Sequence, residues 1–498
     1  MTSRRDVLRL GAQVTAAGLA ATVLDAPAAH ASDGPEPRAW RELARALSAG
    51  AGLYRPGDGE HTRLAPPDNL RYAGTRPAAI VACAAERDVQ VAVRWAVKHG
   101  VPLAPRSGGH NYAGYSTTRG LLIHLRRMRG VSPVGRRSLV LGGGATNSDV
   151  YEARAANLYF PGGRCPGVGV AGLTLGGGLG FNDRKWGLSC DRLRSTRVVL
   201  ADGSIALASD RHNADLFWAC RGGAGGNFGI NTGFVFDAVQ VTDQRATVFD
   251  LSFGLDSAVA VTTVLQEILD QDRSGDFDVR IGFSRTAAGA GSITILGQRL
   301  GTEDQLRPRL AGLLALRPGK RFIEQRHFWT AQDYLMAQHH PTAMASKSLV
   351  PTVWLEPHMI ETIASWVGAW QPGTSGATGY VTLFAMGVHS NTPTPTATAF
   401  PHRDATFVID IGTEWNAATP QPQVQQLLAQ TRLLHRSLSR ELQTSAAYVN
   451  FPDPDLPDWP AAYYGANYNR LTRVKSHYDP RHVFRYDQAV CSDLGNHP

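Results

Sequence analysis

The chain has 498 residues, 43% hydrophobic and 18% charged, with a formal net charge of +8. At roughly 150 residues per domain, this length predicts about three domains or one large two-lobed unit. The composition excludes collagen-like, coiled-coil and largely disordered proteins. Lys and Arg are spread along the chain without a long basic run, so nucleic acid is not an expected partner.

Residues 1–31 have the features of a twin-arginine export signal. Arg4 and Arg5 precede a mildly apolar stretch, and Ala29-His30-Ala31 provides a small-residue cleavage site. We therefore expect a secreted protein that is exported already folded, with its cofactor loaded beforehand. No other segment has 18 uninterrupted apolar residues, so no membrane span and no membrane partner are expected.

Residues 32–71 are interpreted as an N-terminal extension, after which strands and helices alternate across a first domain at 72–243. A strand at 78–84 is followed by an amphipathic helix at 86–99, which Gly100 ends. Asp202-Gly203 predicts a hairpin turn. The region is rich in glycine, since 25 of the 52 glycines lie between residues 105 and 230, and this predicts tight turns or close contact with a ligand.

Glycine becomes less frequent from about residue 245, and longer strands and helices follow. Helices are predicted near 303–316, 358–370 and 422–442, and strands at 380–386 and 406–411. This pattern indicates an α+β substrate-binding domain at 244–446, in which helices cover an antiparallel sheet.

The glycine runs contain one misleading motif, Gly167-x-Gly169-x-x-Gly172 with Asp191 downstream. A dinucleotide fingerprint needs a strand directly before it and a helix opening after it, and neither is predicted here. Runs at 107–109, 166–180 and 222–229 favour a large nucleotide bound by backbone N–H groups in another geometry. The five cysteines and the histidines show no metal-ligand spacing, so no metal is expected.

Several motifs together resemble the FAD-linked oxidases with a PCMH-type flavin domain, in the berberine-bridge-enzyme-like branch. They are Pro105 to Tyr112, Pro161 to Gly172, Asp215 to Trp218, Arg221 to Gly229, Asn467 to Leu471 and Lys475 to Pro480. The resemblance implies a two-lobed PCMH/VAO-type fold in which segment 447–491 returns to the FAD-binding domain.

The same resemblance implies a bicovalent FAD, with His110 bonded to the flavin 8α-methyl and Cys165 bonded to C6. Val168 occupies a position that is small in relatives that react with oxygen, which favours an oxidase, although Val168 could simply pack. The other implied cofactor contacts are Arg106, Ser107, Gly108, Gly109, Asn111, Gly169, Val170, Gly172, Leu173, Gly176, Gly177, Gly180, Gly229, Ile230, Asn467 and Tyr468, the last two closing over the cofactor.

Tyr448, in Tyr448-Val449-Asn450-Phe451, resembles the segment that carries the catalytic base in sugar-oxidising members. Tyr380 is a second catalytic candidate, or a residue that only packs in the sheet. Gly387-Val388-His389 replaces a Gly-Gly pair of the family pattern, and His389 is either a substrate contact or a surface residue.

The predicted function is oxidation of an alcohol carbon in a sugar, glycoside or polyketide-like metabolite. Hydride passes to flavin N5, and O2 is reduced to H2O2. The alternatives are an oxidative cyclase or dehydrogenase of a natural product, and an exported flavin-binding protein without turnover.

Overall fold

The computed structural model describes residues 35–336, 339–373 and 376–491, so the predicted export signal lies outside the described residues. The strands are β1 Gly52–Tyr54, β2 Ala79–Ala82, β3 Leu103–Arg106, β4 Leu121–His124, β5 Val131–Val134, β6 Ser138–Gly142, β7 Leu158–Tyr159, β8 Leu193–Val199, β9 Ile205–Ser209, β10 Ile230–Asp237, β11 Val239–Gln240, β12 Arg245–Gly254, β13 Phe277–Thr286, β14 Ser292–Leu300, β15 Lys320–His327, β16 Ala343–Leu349, β17 Thr378–Ala385 and β18 Phe407–Trp415.

The α-helices are α1 Pro37–Ala46, α2 Gly59–Leu64, α3 Glu86–Lys98, α4 Asn147–Glu152, α5 Val170–Leu175, α6 Asp183–Trp186, α7 Ala214–Ala219, α8 Ala258–Gln271, α9 Glu303–Leu306, α10 Ala311–Ala315, α11 Phe328–Leu335, α12 Pro357–Ala369, α13 Gln421–Glu441, α14 Trp459–Tyr464 and α15 Tyr468–Tyr478. Among the described residues, no helix is both long enough and apolar enough to span a bilayer.

The first lobe contains two sheets. One has the order β1-β2-β4-β3, in which β4 runs parallel to both β2 and β3. The other is antiparallel, with the order β5-β6-β10-β8-β9, and the predicted Asp202-Gly203 turn joins β8 to β9. Helices α14 and α15 of the C-terminal segment bury their aromatic residues in the same hydrophobic core as β6, β8 and β10.

The second lobe is a seven-stranded antiparallel sheet with the order β15-β12-β14-β13-β17-β18-β16. Side chains alternate between its two faces because successive residues of a strand point in opposite directions. Val381 and Leu383 of β17 pack with helices α8, α12 and α13 on one face. Tyr380, Thr382 and Phe384 point to the opposite face, which looks toward the first lobe. The described part of the chain therefore has the predicted α+β, two-lobed fold.

Three details of the prediction were wrong. The supposed extension at 32–71 belongs, from residue 35 onward, to the first lobe, because β1 pairs with β2 and α1 packs on α3 through Trp40 and Trp95. The single helix predicted at 303–316 is split into α9 and α10, and Pro308 lies in the gap, where it cannot supply a helical N–H donor. A short helix, α5, does open directly after Gly169, although the strand required by a dinucleotide fingerprint does not directly precede the motif.

Candidate active site and cofactor cavity

A cavity of about 520 Å³ lies between the two lobes, within the size range usual for small-molecule sites. The first lobe contributes glycine-rich loops around residues 103–116, 163–175 and 224–231. The second lobe contributes the exposed face of β17 and β18, and the C-terminal segment adds residues 448–452. The cavity is therefore built where the glycine-rich region meets the face of the seven-stranded sheet.

Two of the glycine loops touch each other through bare backbone. A Cβ atom on Gly108 would lie 2.3 Å from the Gly167 carbonyl oxygen and 2.3 Å from the Gly169 nitrogen. A Cβ atom on Gly169 would lie 2.4 Å from Ser107 Oγ. Any side chain at these positions would push the two loops apart, so glycine is required for the cavity wall to close.

Three hydroxyl groups along this wall lack a hydrogen-bond partner among the described residues. They belong to Ser107, Tyr115 and Ser116, which all line the cavity. Buried polar groups nearly always have a partner, so these donors fit an elongated ligand that carries many oxygen acceptors. FAD, with its ribityl chain and pyrophosphate, has that character.

His110 and Cys165 both line this cavity. His110 Nδ1 lies 3.1 Å from Asp68 Oδ2, and His339 Nε2 lies 2.8 Å from the same oxygen. Burial raises the pKa of the Asp68 carboxyl, but hydrogen bonds and charges from the two histidines outweigh burial and lower it to about 2. Burial raises the pKa of the Cys165 thiol.

These groups also resemble a metal-binding set. One ligand atom each from Asp68, His110 and His339 lies within 4.8 Å of the others, and carboxylate with imidazole is a donor set that transition metals use. The sequence did not indicate this cluster, because its members come from three distant parts of the chain.

Tyr448 is 1% exposed and lines the cavity. The hydroxyl oxygen accepts hydrogen bonds from the Gly178 backbone N–H at 2.9 Å and from Asn450 Nδ2 at 3.0 Å. Burial raises the pKa of Tyr448, and these two donors oppose that rise because they stabilise the phenolate. The two donors thus hold the hydroxyl oxygen in place and favour its deprotonated form relative to burial alone.

The seven-stranded sheet of the second lobe forms the wall of the cavity that faces the first lobe. Tyr380 of β17 pairs with Gly412 of β18. A Cβ atom added to Gly412 would lie 2.1 Å from the Tyr380 ring. Burial raises the pKa of Asp410 to about 7, although hydrogen bonds from Ser346 and Tyr380 partly oppose this rise. Glu414 also lines the cavity, and the described residues supply no hydrogen-bond donor to its carboxylate.

Most sequence-predicted site residues line the cavity. They are Ser107, Gly108, Gly109, His110, Asn111, Cys165, Val168, Gly169, Gly172, Leu173, Gly229, Ile230, Tyr380 and Tyr448.

Other predicted contacts lie behind the wall. Arg106 is 3% exposed and donates to the carbonyls of Leu64 and Ser116, so it braces the loop from behind. Val170 is in the hydrophobic core. The glycines at 176, 177 and 180 are not part of the lining but allow close packing, since a Cβ atom on Gly176 would meet Asn450 Oδ1 at 2.1 Å.

Asn467 and Tyr468 do not close over the cavity. The Asn467 amide donates to the Pro395 carbonyl at 2.7 Å and to the Thr398 carbonyl at 3.2 Å. Tyr468 packs edge-on against Trp459 in the core of the first lobe. Both side chains therefore attach the C-terminal segment to the rest of the protein. His389, the candidate substrate contact, is exposed and does not line the cavity.

Sequence reasoning missed Asp68, His339, Asp410, Glu414 and Asn450. Two of them could have been found from the sequence, because Asp410 and Glu414 alternate along β18 and therefore share one face of it with Gly412. No comparable pattern marks Asp68 or His339.

Comparisons with known proteins agree with this geometry. Residues 77–209 match a family described as "FAD binding domain", and residues 447–491 match "Berberine and berberine like". The chain is 31% identical to the uncharacterized FAD-linked oxidoreductase YgaK of Bacillus subtilis, over 83% of this chain and 91% of that protein. It is 30% identical to the xylooligosaccharide oxidase of Thermothelomyces thermophilus, over 85% and 88%.

Solved structures share the fold. A xylooligosaccharide oxidase from Myceliophthora thermophila C1, in complex with xylobiose, superposes with a TM-score of 0.78 at 26% identity, covering 91% of this chain and 99% of that one. A glucooligosaccharide oxidase from Acremonium strictum, described as carrying 6-S-cysteinyl, 8α-N1-histidyl FAD, has a TM-score of 0.81 at 23% identity, covering 91% and 99%.

Proposed function

The chain belongs to the FAD-linked oxidoreductases that end in a berberine-like segment, and from that membership we propose that it is an oxidase of an alcohol carbon in a sugar, glycoside or sugar-bearing metabolite. The observation that carries the proposal is that Tyr448, His110 and Cys165 all line one cavity. A proton acceptor and two flavin-attachment residues then face one substrate space.

We propose that FAD is held by two covalent bonds, to His110 and to Cys165. Both side chains line the cavity, and the bicovalent FAD of the Acremonium strictum oxidase is attached through the same two residue types. If FAD lies along the glycine loops, its pyrophosphate comes near backbone N–H groups and near the hydroxyls of Ser107 and Ser116, which have no partner among the described residues.

When bound, FAD supplies the hydride acceptor, its N5 atom. The protein supplies the acid–base chemistry and the orientation of the substrate. Tyr448 takes the proton from the substrate hydroxyl, and the donors Gly178 and Asn450 stabilise the phenolate that performs this step. The backbone donor is fixed by the glycine loop, so it needs no rearrangement during the reaction.

The lining of the cavity suits a polyhydroxylated ring. Phe451 stacks on Tyr112, with ring centroids 5.4 Å apart and planes at 5°, and Phe384 lies 5.5 Å from Phe451. Such aromatic surfaces pack against the apolar faces of sugars, while the carboxylate of Glu414 accepts hydrogen bonds from hydroxyl groups. This combination favours a carbohydrate or glycoside over a purely apolar metabolite.

We further propose that O2 is the electron acceptor and that the enzyme works outside the cell. Val168 lines the cavity beside Gly169, and the resemblance that places a small side chain at this position in oxygen-reactive relatives supports the proposal. Export rests on the Arg4-Arg5 signal in the sequence.

Covalent attachment is tested by acid precipitation of the purified protein. Flavin should stay with the precipitate in wild type and in the single variants His110→Ala and Cys165→Ala, because one tether remains in each. The double variant should release all of its flavin. Retention of flavin by the double variant, or complete release by wild type, would contradict attachment through these residues.

A further inference from the structure

Asp68 contacts the proposed tether residue from a fixed position. Its backbone N–H donates to the Gly109 carbonyl at 3.2 Å, so the carboxylate is attached to the same loop that carries His110. The neighbouring Asn69 side chain donates to the carbonyls of Tyr112 and Met344 at 2.8 and 3.1 Å. Asp68 is thus held against both the His110 loop and strand β16.

The carboxylate keeps its negative charge despite its surroundings. Its side chain is only 14% exposed, and burial alone would favour the neutral acid. The two imidazole donors reverse that preference. The Asp68 hydrogen bond in turn raises the pKa of His339, and His339 contacts the carboxylate from the side of the second lobe.

A histidine that becomes bonded to carbon passes through a positively charged ring before it loses its N–H proton. A carboxylate that accepts a hydrogen bond from the same ring lowers the energy of that charge and fixes the orientation of the ring, as in hydrolase triads. The 3.1 Å contact between His110 Nδ1 and Asp68 has this arrangement.

We propose that Asp68 is the positioning residue that enables His110 to attach itself to the flavin, with His339 holding Asp68 in place. The inference rests on the proposed covalent flavin. In the step, one 8α C–H bond and the imidazole N–H bond break, and a bond forms between 8α carbon and imidazole nitrogen. The two electrons reduce the flavin ring, and O2 then takes these electrons and both protons to form H2O2.

The test uses a Cys165→Ala background, in which His110 is the only tether. Purified protein is incubated with FAD in air, and the acid-stable fraction of bound flavin is followed with time. Dividing by the flavin bound before precipitation removes the contribution of unfolded protein. Asp68→Asn in this background should attach flavin at least about tenfold more slowly, since it lacks the charge beside the ring.

Asp333→Asn is the matched control, because Asp333 is a half-exposed carboxylate that pairs with Arg154 and does not line the cavity. It should attach flavin within about twofold of the background rate, and Asp68→Glu should restore part of the rate. Equal attachment rates for Asp68→Asn and the background would overturn the proposed role of Asp68 but leave the His110 tether intact. Absence of acid-stable flavin in the Cys165→Ala background itself would overturn both this inference and the proposed His110 tether.

Discussion

Tyr448 illustrates how neighbouring donors determine the chemistry of one side chain. Burial disfavours the phenolate and raises the pKa of Tyr448, whereas the Gly178 N–H and the Asn450 amide favour the phenolate. Because the balance leaves the pKa above its ordinary value, the deprotonated fraction increases as pH rises through the neutral and alkaline range. The rate of a step that needs this base should rise in parallel.

Replacement of Asn450 by alanine tests that balance. The phenolate loses one of its two donors, so its pKa should increase by about one unit or more and the rate of flavin reduction should fall about tenfold at neutral pH. Anaerobic stopped-flow absorbance, recorded against pH, measures both effects. The exposed Asn416→Ala serves as control, and an unchanged pH profile in Asn450→Ala would argue against this role.

Residue-level prediction depended on local motifs. Tyr448, His110 and Cys165 could be predicted because each lies in a short, recognisable segment. Asp68 and His339 could not, because their meeting with His110 depends on how the N-terminal segment and the second lobe pack, which no local pattern records.

At the level of elements, the pairing of β17 with β18 shapes the substrate wall. Tyr380 and Gly412 are direct partners in this pair, and the missing side chain at 412 gives the tyrosine ring its place. The Tyr380 hydroxyl can then donate to the carboxyl group of Asp410, which is also on β18.

Gly412→Ala should disturb this wall. The new Cβ atom would lie 2.1 Å from the Tyr380 ring, so the ring must move and the free energy of unfolding should fall by about 1–3 kcal/mol. Urea unfolding followed by fluorescence measures the change. In Gly282→Ala, on strand β13 of the same sheet, the added Cβ would meet only the Thr294 carbonyl at 3.8 Å, and the loss of stability should be clearly smaller. Equal losses in both variants would refute the close-packing argument.

Element boundaries followed from periodicity where the chain is amphipathic and regular. Helices α12 and α13 were predicted within one residue at each end, since each has a clear buried stripe. The region 32–71 was misjudged because its proline- and glycine-rich sequence hides a three-residue strand, β1, whose stability comes from pairing with β2.

In the whole molecule, a buried arginine joins the lobes. Arg184 of α6 is 2% exposed and donates at 3.0 Å to the carbonyls of both Phe277 and Leu269 in the second lobe, and also to the Met386 carbonyl. The sequence indicated two lobes and a returning C-terminal segment. It could not indicate this junction, which depends on backbone carbonyls that any sequence would offer.

Arg184→Leu should therefore destabilise the protein by about 3 kcal/mol or more, because it leaves several buried carbonyls without donors. In denaturant unfolding, we expect a lower midpoint and two separate transitions, because the lobes would no longer unfold together. Arg194→Leu removes an exposed partner of Asp237 and should cost no more than about 1 kcal/mol. Equal midpoints for Arg184→Leu and wild type would contradict the importance of this junction.

The central claim is that Tyr448 acts as the base for oxidation of a carbohydrate alcohol by bound flavin. The most direct measurement is anaerobic mixing of wild type and Tyr448→Phe with a panel of oligosaccharides and glycosides, followed by flavin absorbance. We predict that at least one sugar bleaches the wild-type flavin, and that Tyr448→Phe, with the same content of covalent flavin, is bleached at least about a hundredfold more slowly. Bleaching of both proteins at the same rate, or of neither by any member of the panel, would contradict the claim.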